Sequence, residues 1–277
     1  MMNKEPKISI ISACYNHGKF INEMIESVFR QTFEDYEIII VNDGSTDDTA
    51  NILNKIHHEK IKIVHTENHG PASARNTAIQ YARASVIMNL DADDKISPDL
   101  LEKAYEVFEK GTNIGIVYCD TEFFGARSGK FNIGEYTKEA MLFNNRITSL
   151  ALFRKEDWQS VDGYSDELIY GLEDWDFWLM IIGLGREVVK IPDAVAYYRT
   201  YKNIKDSRSG RRKMNRLKGL KSQILIFRRH QKLYSAYPKA LEYVSNIEKK
   251  INNENLLVRF LKNCKYNYMK EYYYKCL

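Results

Sequence analysis

The chain has 277 residues, 44% hydrophobic and 28% charged, an ordinary globular balance with room for one large α/β domain and an appendage or for two small domains. No apolar run approaches the ~20 residues of a membrane span, and the polar stretch Met1 to Lys7 shows no secretory signal pattern. Cys14, Cys119, Cys264 and Cys276 are scattered, with no C-x-x-C pair, which argues against a disulfide frame and for reduced thiols in a cytoplasmic protein. The net charge of +4 hides an asymmetry: from Lys202 onward there are 20 Lys+Arg against 5 Asp+Glu, and before it 21 against 32. An acidic body with a basic tail points to a polyanionic partner surface: lipid headgroups, nucleic acid, or an anionic glycan or lipid-phosphate acceptor.

Taken in order, Lys7 to Ala13 reads as a buried strand, and Lys19 to Phe33 follows with apolar residues at helical spacing. Glu37 to Asn42 is a second strand, apolar throughout as in a parallel sheet covered on both faces. It runs into Asp43-Gly44-Ser45-Thr46, where the glycine permits a tight turn and Ser45 or Thr46 can cap a helix to Ile56. A strand at Ile61 to Val64, an alanine-rich helix at Ala72 to Ala84 and a strand at Val86 to Leu90 come next. Then follow a helix from Pro98 to Lys110 and a strand from Ile114 to Asp120. Strands alternating with helices of this length predict βαβ units and a mostly parallel, Rossmann-like sheet flanked by helices.

Phe123 to Asn145 loses this pattern and reads as a hairpin or flap punctuated by Gly125, Gly129 and Gly134. Thr148 to Phe153 predicts a strand, Lys155 to Val161 a short helix, and Glu173 to Gly183 a helix rich in core aromatics. Glu187 to Arg199 predicts two strands broken at Pro192. Beyond Lys202, Leu217, Leu220, Ile224, Leu225 and Phe227 suggest an amphipathic basic helix, and Asn255 to Leu277 a Tyr-rich one. The chain thus divides into residues 1–201, an α/β domain, and 202–277, a basic helical extension.

Ligands of open parallel sheets sit beyond the carboxyl ends of the strands. Three predicted strand ends carry polar clusters: Tyr15-Asn16, Asp43-Gly44 and Asp91-Ala92-Asp93-Asp94. On an extended chain Asp91 and Asp93 face the same side. Two close carboxylates repel unless a cation relieves them, and Mg²⁺ or Mn²⁺ held by one or two carboxylates plus substrate phosphates would do so. The plainer reading makes these acids the dressing of a helix N-terminus, with Ser97 as N-cap and Pro98 at N1; in the metal reading Asp94 supports the turn into Ser97-Pro98. His65 and His69, separated by a loop-like segment, read as exposed or structural histidines.

The segments Ser12-Ala13-Cys14-Tyr15-Asn16, Glu37 to Asp47, Gly70-Pro71-Ala72-Ser73-Ala74-Arg75-Asn76, Leu90 to Asp94 and the acidic pair Glu173-Asp174 come in an order and spacing that closely resembles family 2 glycosyltransferases of the GT-A fold. The resemblance covers roughly residues 7–200. It implies a bacterial cell-surface glycan enzyme that uses a UDP-sugar donor and a divalent metal, Mg²⁺ or Mn²⁺, and inverts the anomeric carbon. It assigns Ala13, Tyr15 and Asn16 to the uridine side, Asp43 to the base N–H, Arg75 to the nucleotide or diphosphate, Asp91 to the ribose or a metal-bound water, and Asp93 to the metal. Asp174 is the implied base, with Glu173 as substitute.

Two departures stand out. Tyr198-Arg199-Thr200 leads to Tyr201, where many members have histidine, and the Gln-x-x-Arg-Trp signature of processive synthases is absent, which favours transfer of one sugar per event to a glycan or lipid-linked acceptor. For the basic stretch 202–232, the readings are a peripheral contact with the inner membrane face, a contact between copies of the chain, or a solvated helix face. A nucleotidyltransferase would want a Gly-rich, basic phosphate loop where Tyr15-Asn16-His17-Gly18 stands. A nucleic-acid binder would want a motif that the tail lacks, since charge alone gives weak, salt-dependent affinity.

Overall fold

The computed structural model describes residues 5–203, 205, 207, 210 and 216–253. The elements in chain order begin with β1 (Ile8–Cys14), α1 (Gly18–Phe29), β2 (Tyr36–Asp43), α2 (Thr49–Leu53), β3 (Ile61–Thr66), α3 (Pro71–Tyr81), β4 (Val86–Asn89), β5 (Lys95–Ile96) and α4 (Leu100–Lys110). There follow β6 (Ile114–Gly125), β7 (Gly129–Lys130), α5 (Lys138–Phe143), β8 (Leu152–Arg154), α6 (Lys155–Ser160), α7 (Glu173–Gly183) and β9 (Glu187–Thr200). Three further helices close the described chain: α8 (Arg216–Arg229), α9 (Gln231–Ser235) and α10 (Pro238–Asn253).

The strands form one sheet in the order β3-β2-β1-β4-β8-β6-β9-β5, with β7 on β6. The first four pair in parallel, as the βαβ pattern predicts. β8 then enters antiparallel between β4 and β6, while β6 and β9 pair in parallel. So β3, β2, β1, β4, β6 and β9 all point one way, and their carboxyl ends share one edge.

Side-chain alternation feeds two cores. On β2, Ile38 and Ile40 face the core under α1, α2 and α4, whereas Ile39 and Val41 face the core under α3 and α7. All eight β2 residues are buried. Each such Ile or Val contributes about 1.5–3 kcal/mol by leaving water, and Ile39→Ala would cost roughly 2–5 kcal/mol. Small residues let α3 lie close to the sheet, with Ala72, Ala74 and Ala78 buried against it. The extension shares this second core: Ile226, Tyr234, Ala240 and Val244 are buried with Trp178 and Leu142. Asp176 of α7 is fully buried and accepts from His230 Nε2 at 2.7 Å and Arg229 Nε at 3.0 Å, which ties α7 to the end of α8.

Several local expectations change. β9 is one strand through Pro192, because residues 191–194 bulge opposite Cys119 and the ladder resumes at Val195, so the proline takes no ladder position. Asp99, not Ser97, occupies the N-cap position of α4 without a side-chain cap bond, and the Ser97 hydroxyl instead donates to Asp99 and accepts from Val195 N. Neither Ser45 nor Thr46 caps α2, which begins after Asp48. The Phe123–Asn145 stretch is a β6–β7 hairpin followed by the short helix α5. The cluster Arg211-Arg212-Lys213 and the Tyr-rich segment Asn255–Leu277 lie outside the described residues.

Candidate active site

The β1–α1 and β2–α2 loops are knotted together at the shared edge. Asn16 adopts a left-handed backbone with φ 57°, a conformation that asparagine tolerates better than most residues. Its Oδ1 accepts from Thr46 N at 2.8 Å, its Nδ2 donates to Thr46 Oγ1 at 3.1 Å, and its backbone N–H donates to Ser45 Oγ at 3.0 Å. Asn16 is therefore a clamp between loops. Tyr15 beside it is 43% exposed at the edge, and Ala13 is half-buried.

Asp43 ends β2 and is buried, and its oxygens accept from His69 N at 2.8 Å and Gly70 N at 2.9 Å. Gly44 must be glycine: its φ is +63° and an added Cβ would lie 2.6 Å from Asn68 N in the same passing loop. Two of roughly four lone-pair sites on the carboxylate are thus used, and the remainder can accept from a ligand. His65 is structural, as expected, bridging Asn42 and Asn54 at 3.0 Å each.

The acid turn departs from the extended geometry. β4 stops at Asn89, and Asp94 N donates to Asp91 O at 3.0 Å, so residues 91–94 fold into a turn. Asp91 and Asp93 consequently meet different surroundings. Asp91 Oδ1 accepts from Arg75 Nη2 at 2.8 Å, and Oδ2 accepts from Ser149 Oγ at 3.2 Å. Burial by itself would raise this carboxyl, but the Arg75 guanidinium outweighs it and holds Asp91 below the usual carboxylate range.

Asp93 Oδ2 accepts from the Tyr201 hydroxyl, and Oδ1 lies 3.7 Å from His17 Nδ1. Here burial outweighs these partners and, with Asp91 near, holds the carboxyl above its ordinary value. Asp94 is the most deeply buried of the three, and it serves β9 rather than the Ser97-Pro98 turn: it accepts from Arg199 N at 2.7 Å. Burial and the neighbouring acids push its carboxyl far up.

Arg75 is turned inward. Its Nε donates to Asn89 Oδ1 at 3.0 Å, Nη1 to Glu173 Oε1 at 2.8 Å and Nη2 to Asp91, and the guanidinium sits 5.6 Å from the Tyr164 ring centroid. The resemblance assigns Arg75 to the nucleotide or diphosphate, yet all three of its nitrogens donate to this protein. Glu173 is buried on this network, while Asp174, next in α7, is half-buried and accepts from Asn145 Nδ2 at 3.0 Å. The loop before α7 is fixed by Asn76, which binds Tyr164 O, Tyr164 N and Trp158 Nε1 at 2.8–2.9 Å. Gly163, at φ +76°, passes so close that a Cβ would lie 2.6 Å from Asn76 Oδ1.

Asp43, Asp91, Asp93, Tyr15 and Ala13 are thus carried at neighbouring strand ends, Arg75 on α3, and the Glu173-Asp174 pair at the start of α7. Sequence reasoning missed Ser149, Asn145 and His17, because single polar residues in loops carry no periodic signal. Among the described residues no three His, Cys, Asp or Glu side chains form a metal-binding cluster. A one-carboxylate site completed by substrate phosphates needs none. Asp93, half-buried, under-compensated and beside an imidazole, fits a divalent cation, which would relieve its charge.

The profile described as Glycosyl transferase family 2 matches residues 9–166. Over 191 residues the chain is 29% identical to a hyaluronan synthase from Pasteurella multocida, covering 67% of this chain and 20% of that protein. It is 30% identical over 190 residues to a chondroitin synthase from Escherichia coli, covering 66% and 28%. The match thus spans less than a third of either relative. Among solved structures, S. aureus TarS 1–349 in complex with UDP-GlcNAc is similar with a TM-score of 0.59 at 23% identity, covering 71% of this chain and 59% of that one. The mannosyltransferase PcManGT from Pyrobaculum calidifontis, in complex with GDP-Man and Mn²⁺, gives 0.60 at 20% identity, covering 91% and 76%. These likenesses bear out the α/β GT-A fold.

Proposed function

Since the chain belongs to glycosyl transferase family 2, we propose that it is an inverting glycosyltransferase. It moves one sugar from a nucleoside-diphosphate donor, a UDP-sugar, to a hydroxyl of a glycan or lipid-linked acceptor. The observation that carries this reading is the Arg75 network. It joins the Asp91 turn to Glu173 at the start of α7, so the Asp174 base of this reading lies next to the donor-side acid through one guanidinium.

In this reading Tyr15 offers a ring to the nucleobase, and Asp43 keeps lone pairs for the base N–H after holding the 69–70 loop. Asp91, fixed by Arg75 and Ser149, accepts from the ribose. Asp93 would hold a Mg²⁺ or Mn²⁺ ion. Such an ion, when bound, offsets the negative charge that gathers on the leaving diphosphate.

Asp174 rather than Glu173 takes the proton of the acceptor hydroxyl, because the Glu173 carboxylate is buried on Arg75 whereas Asp174 lies at the half-buried edge. The acceptor oxygen bonds to the anomeric carbon as the bond to the diphosphate oxygen breaks, and the nucleoside diphosphate leaves with that electron pair. A positioned base of this kind is worth about 10²–10⁴-fold in rate. A single displacement from the opposite face inverts the centre. The basic stretch 202–232 would dock on anionic lipid, at about 1 kcal/mol per basic residue near the surface. Among the described residues no helix is long and apolar enough to cross a membrane.

A thermal-shift series with UDP, UDP-sugars, GDP and GDP-mannose, each with Mn²⁺, tests the donor assignment. A bound donor stabilises the fold by mass action; stabilisation by a UDP species, lost in Asp93→Ala, is the expected result. Failure of every nucleotide to shift the transition would overturn the donor site. Release of pyrophosphate instead of a nucleoside diphosphate would replace transfer with nucleotidyl chemistry.

A further inference from the structure

His17 caps the N-terminus of α1 in a way that leaves one of its nitrogens unused. No side-chain hydrogen bond accompanies the cap. Nδ1 is buried, has no hydrogen-bond partner among the described residues, and lies 3.7 Å from Asp93 Oδ1. That distance is too long for a hydrogen bond, but it suits two atoms that flank a common ligand. Tyr201 orients the carboxylate. Its hydroxyl donates to Oδ2, which leaves Oδ1 as the oxygen on the His17 side.

The three side chains share a wall. Phe20, one turn into α1, packs edge-on against His17 with centroids 6.2 Å apart and against Tyr201 at 5.8 Å. Arg199 stacks over the same Phe20 ring at 4.2 Å, and its Nε donates to Asp93 O at 2.7 Å, which fixes the backbone of the turn. Asp93 is therefore held from its backbone and from Oδ2. His17 Nδ1 lies 3.7 Å from the remaining oxygen, Oδ1.

From this convergence we infer that His17 Nδ1 and Asp93 Oδ1 are the two protein donors of the divalent-cation site, making it a mixed nitrogen–oxygen site selective for Mn²⁺ over Mg²⁺. The inference rests on the donor-site reading above and adds the ligand set and the metal. Its physical basis is ligand chemistry. Mg²⁺ demands oxygen donors in near-ideal octahedral geometry, whereas a neutral imidazole nitrogen is a common ligand of first-row transition ions. The imidazole comes from the β1–α1 loop, and at the end of β9 a tyrosine orients the carboxylate. In a site made of carboxylate alone, His17 would be only a neighbouring polar group, and its removal would not change which metal is preferred.

The test uses the full chain with Mn²⁺ and either UDP or GDP in separate arms. Pulsed electron paramagnetic resonance reads nitrogen bonded directly to Mn²⁺, and titration with Mg²⁺ competition reads selectivity. The expected result is imidazole ¹⁴N coupling in the wild type that disappears in His17→Ala. The Mn²⁺ dissociation constant should rise at least about tenfold while Mg²⁺ binding changes less. His17→Gln, which keeps the polar bulk against Phe20, should behave the same way, and circular dichroism of both variants checks the fold. Tyr201→Phe should keep the coupling.

Coupling that survives both His17 variants, or is absent from a wild type that binds Mn²⁺ through Asp93, overturns the ligand set while leaving the donor site standing. Wild type that retains no Mn²⁺ with either nucleotide, or Asp93→Ala that retains it undiminished, overturns the donor-site reading and this inference together.

Discussion

Asp91 and Asp93 are two residues apart, yet their surroundings differ in the balance of charge. Asp91 sits against a buried guanidinium and a serine hydroxyl, and its carboxyl is held below the ordinary range. Asp93 has a tyrosine hydroxyl and a more distant imidazole, and burial holds its carboxyl above that range. The first carboxylate is compensated by the protein's own guanidinium and hydroxyl. The second is under-compensated, and in the proposed reading a cation would relieve it. The turn at Asp91–Asp94 thus gives two neighbouring acids opposite electrostatic surroundings, so a pair of acids need not be a pair of metal ligands.

The comparison can be broken most severely at Arg75. Arg75→Met leaves Asp91 and Glu173 without their buried counter-charge and should cost about 3–5 kcal/mol in urea unfolding; a loss under 1 kcal/mol would mean that the network does not act as scaffold. Asp91→Asn removes the charge but keeps an acceptor, and should cost roughly 1–3 kcal/mol at neutral pH.

The pH dependence sharpens the same contrast. With its folded value depressed, Asp91 contributes stability that is present above the ordinary carboxylate pKa of about 3.9 and lost as pH falls through its lower folded value. Asp91→Asn should therefore flatten the acid limb of the stability profile. Asp93, raised by burial, has the opposite sign: its contribution is present below the ordinary value and lost as pH rises through the folded one.

Smaller effects follow on the Asp93 side. Tyr201→Phe removes one donor to Asp93 Oδ2 and should cost about 0.5–1.5 kcal/mol by the same unfolding assay. Asp93→Asn, without nucleotide or metal, should change stability least, within about 0.5 kcal/mol or toward stabilisation, because it deletes a charge that the fold under-compensates. A loss as large as that of Asp91→Asn would erase the distinction between the two pockets.

Much of this was legible in the chain itself. The four parallel strands and α1 lie close to where hydrophobic spacing places them, because burial on two faces writes a continuous apolar run and an amphipathic helix writes a 3.6-residue period. The gathering of acids at strand ends was legible as well, since a parallel sheet brings all those ends to one edge. The inserted β8 was less so: its three paired residues are too few for periodicity to give a direction.

What sequence alone determined, then, was the class of fold and the edge on which the chemistry gathers, because those follow from local patterns summed along the chain. Tertiary structure decided how each polar side chain is used. Asn16 closes two loops, Arg75 faces inward to Asp91 and Glu173, Asp94 binds β9, and Tyr201 meets Asp93 from 108 residues away. These roles depend on which distant group supplies the missing donor or charge, and no local pattern encodes that. The His17 nitrogen that lacks a hydrogen-bond partner among the described residues belongs to the same class: a lone histidine in a loop gains meaning only from the carboxylate that the fold brings to it.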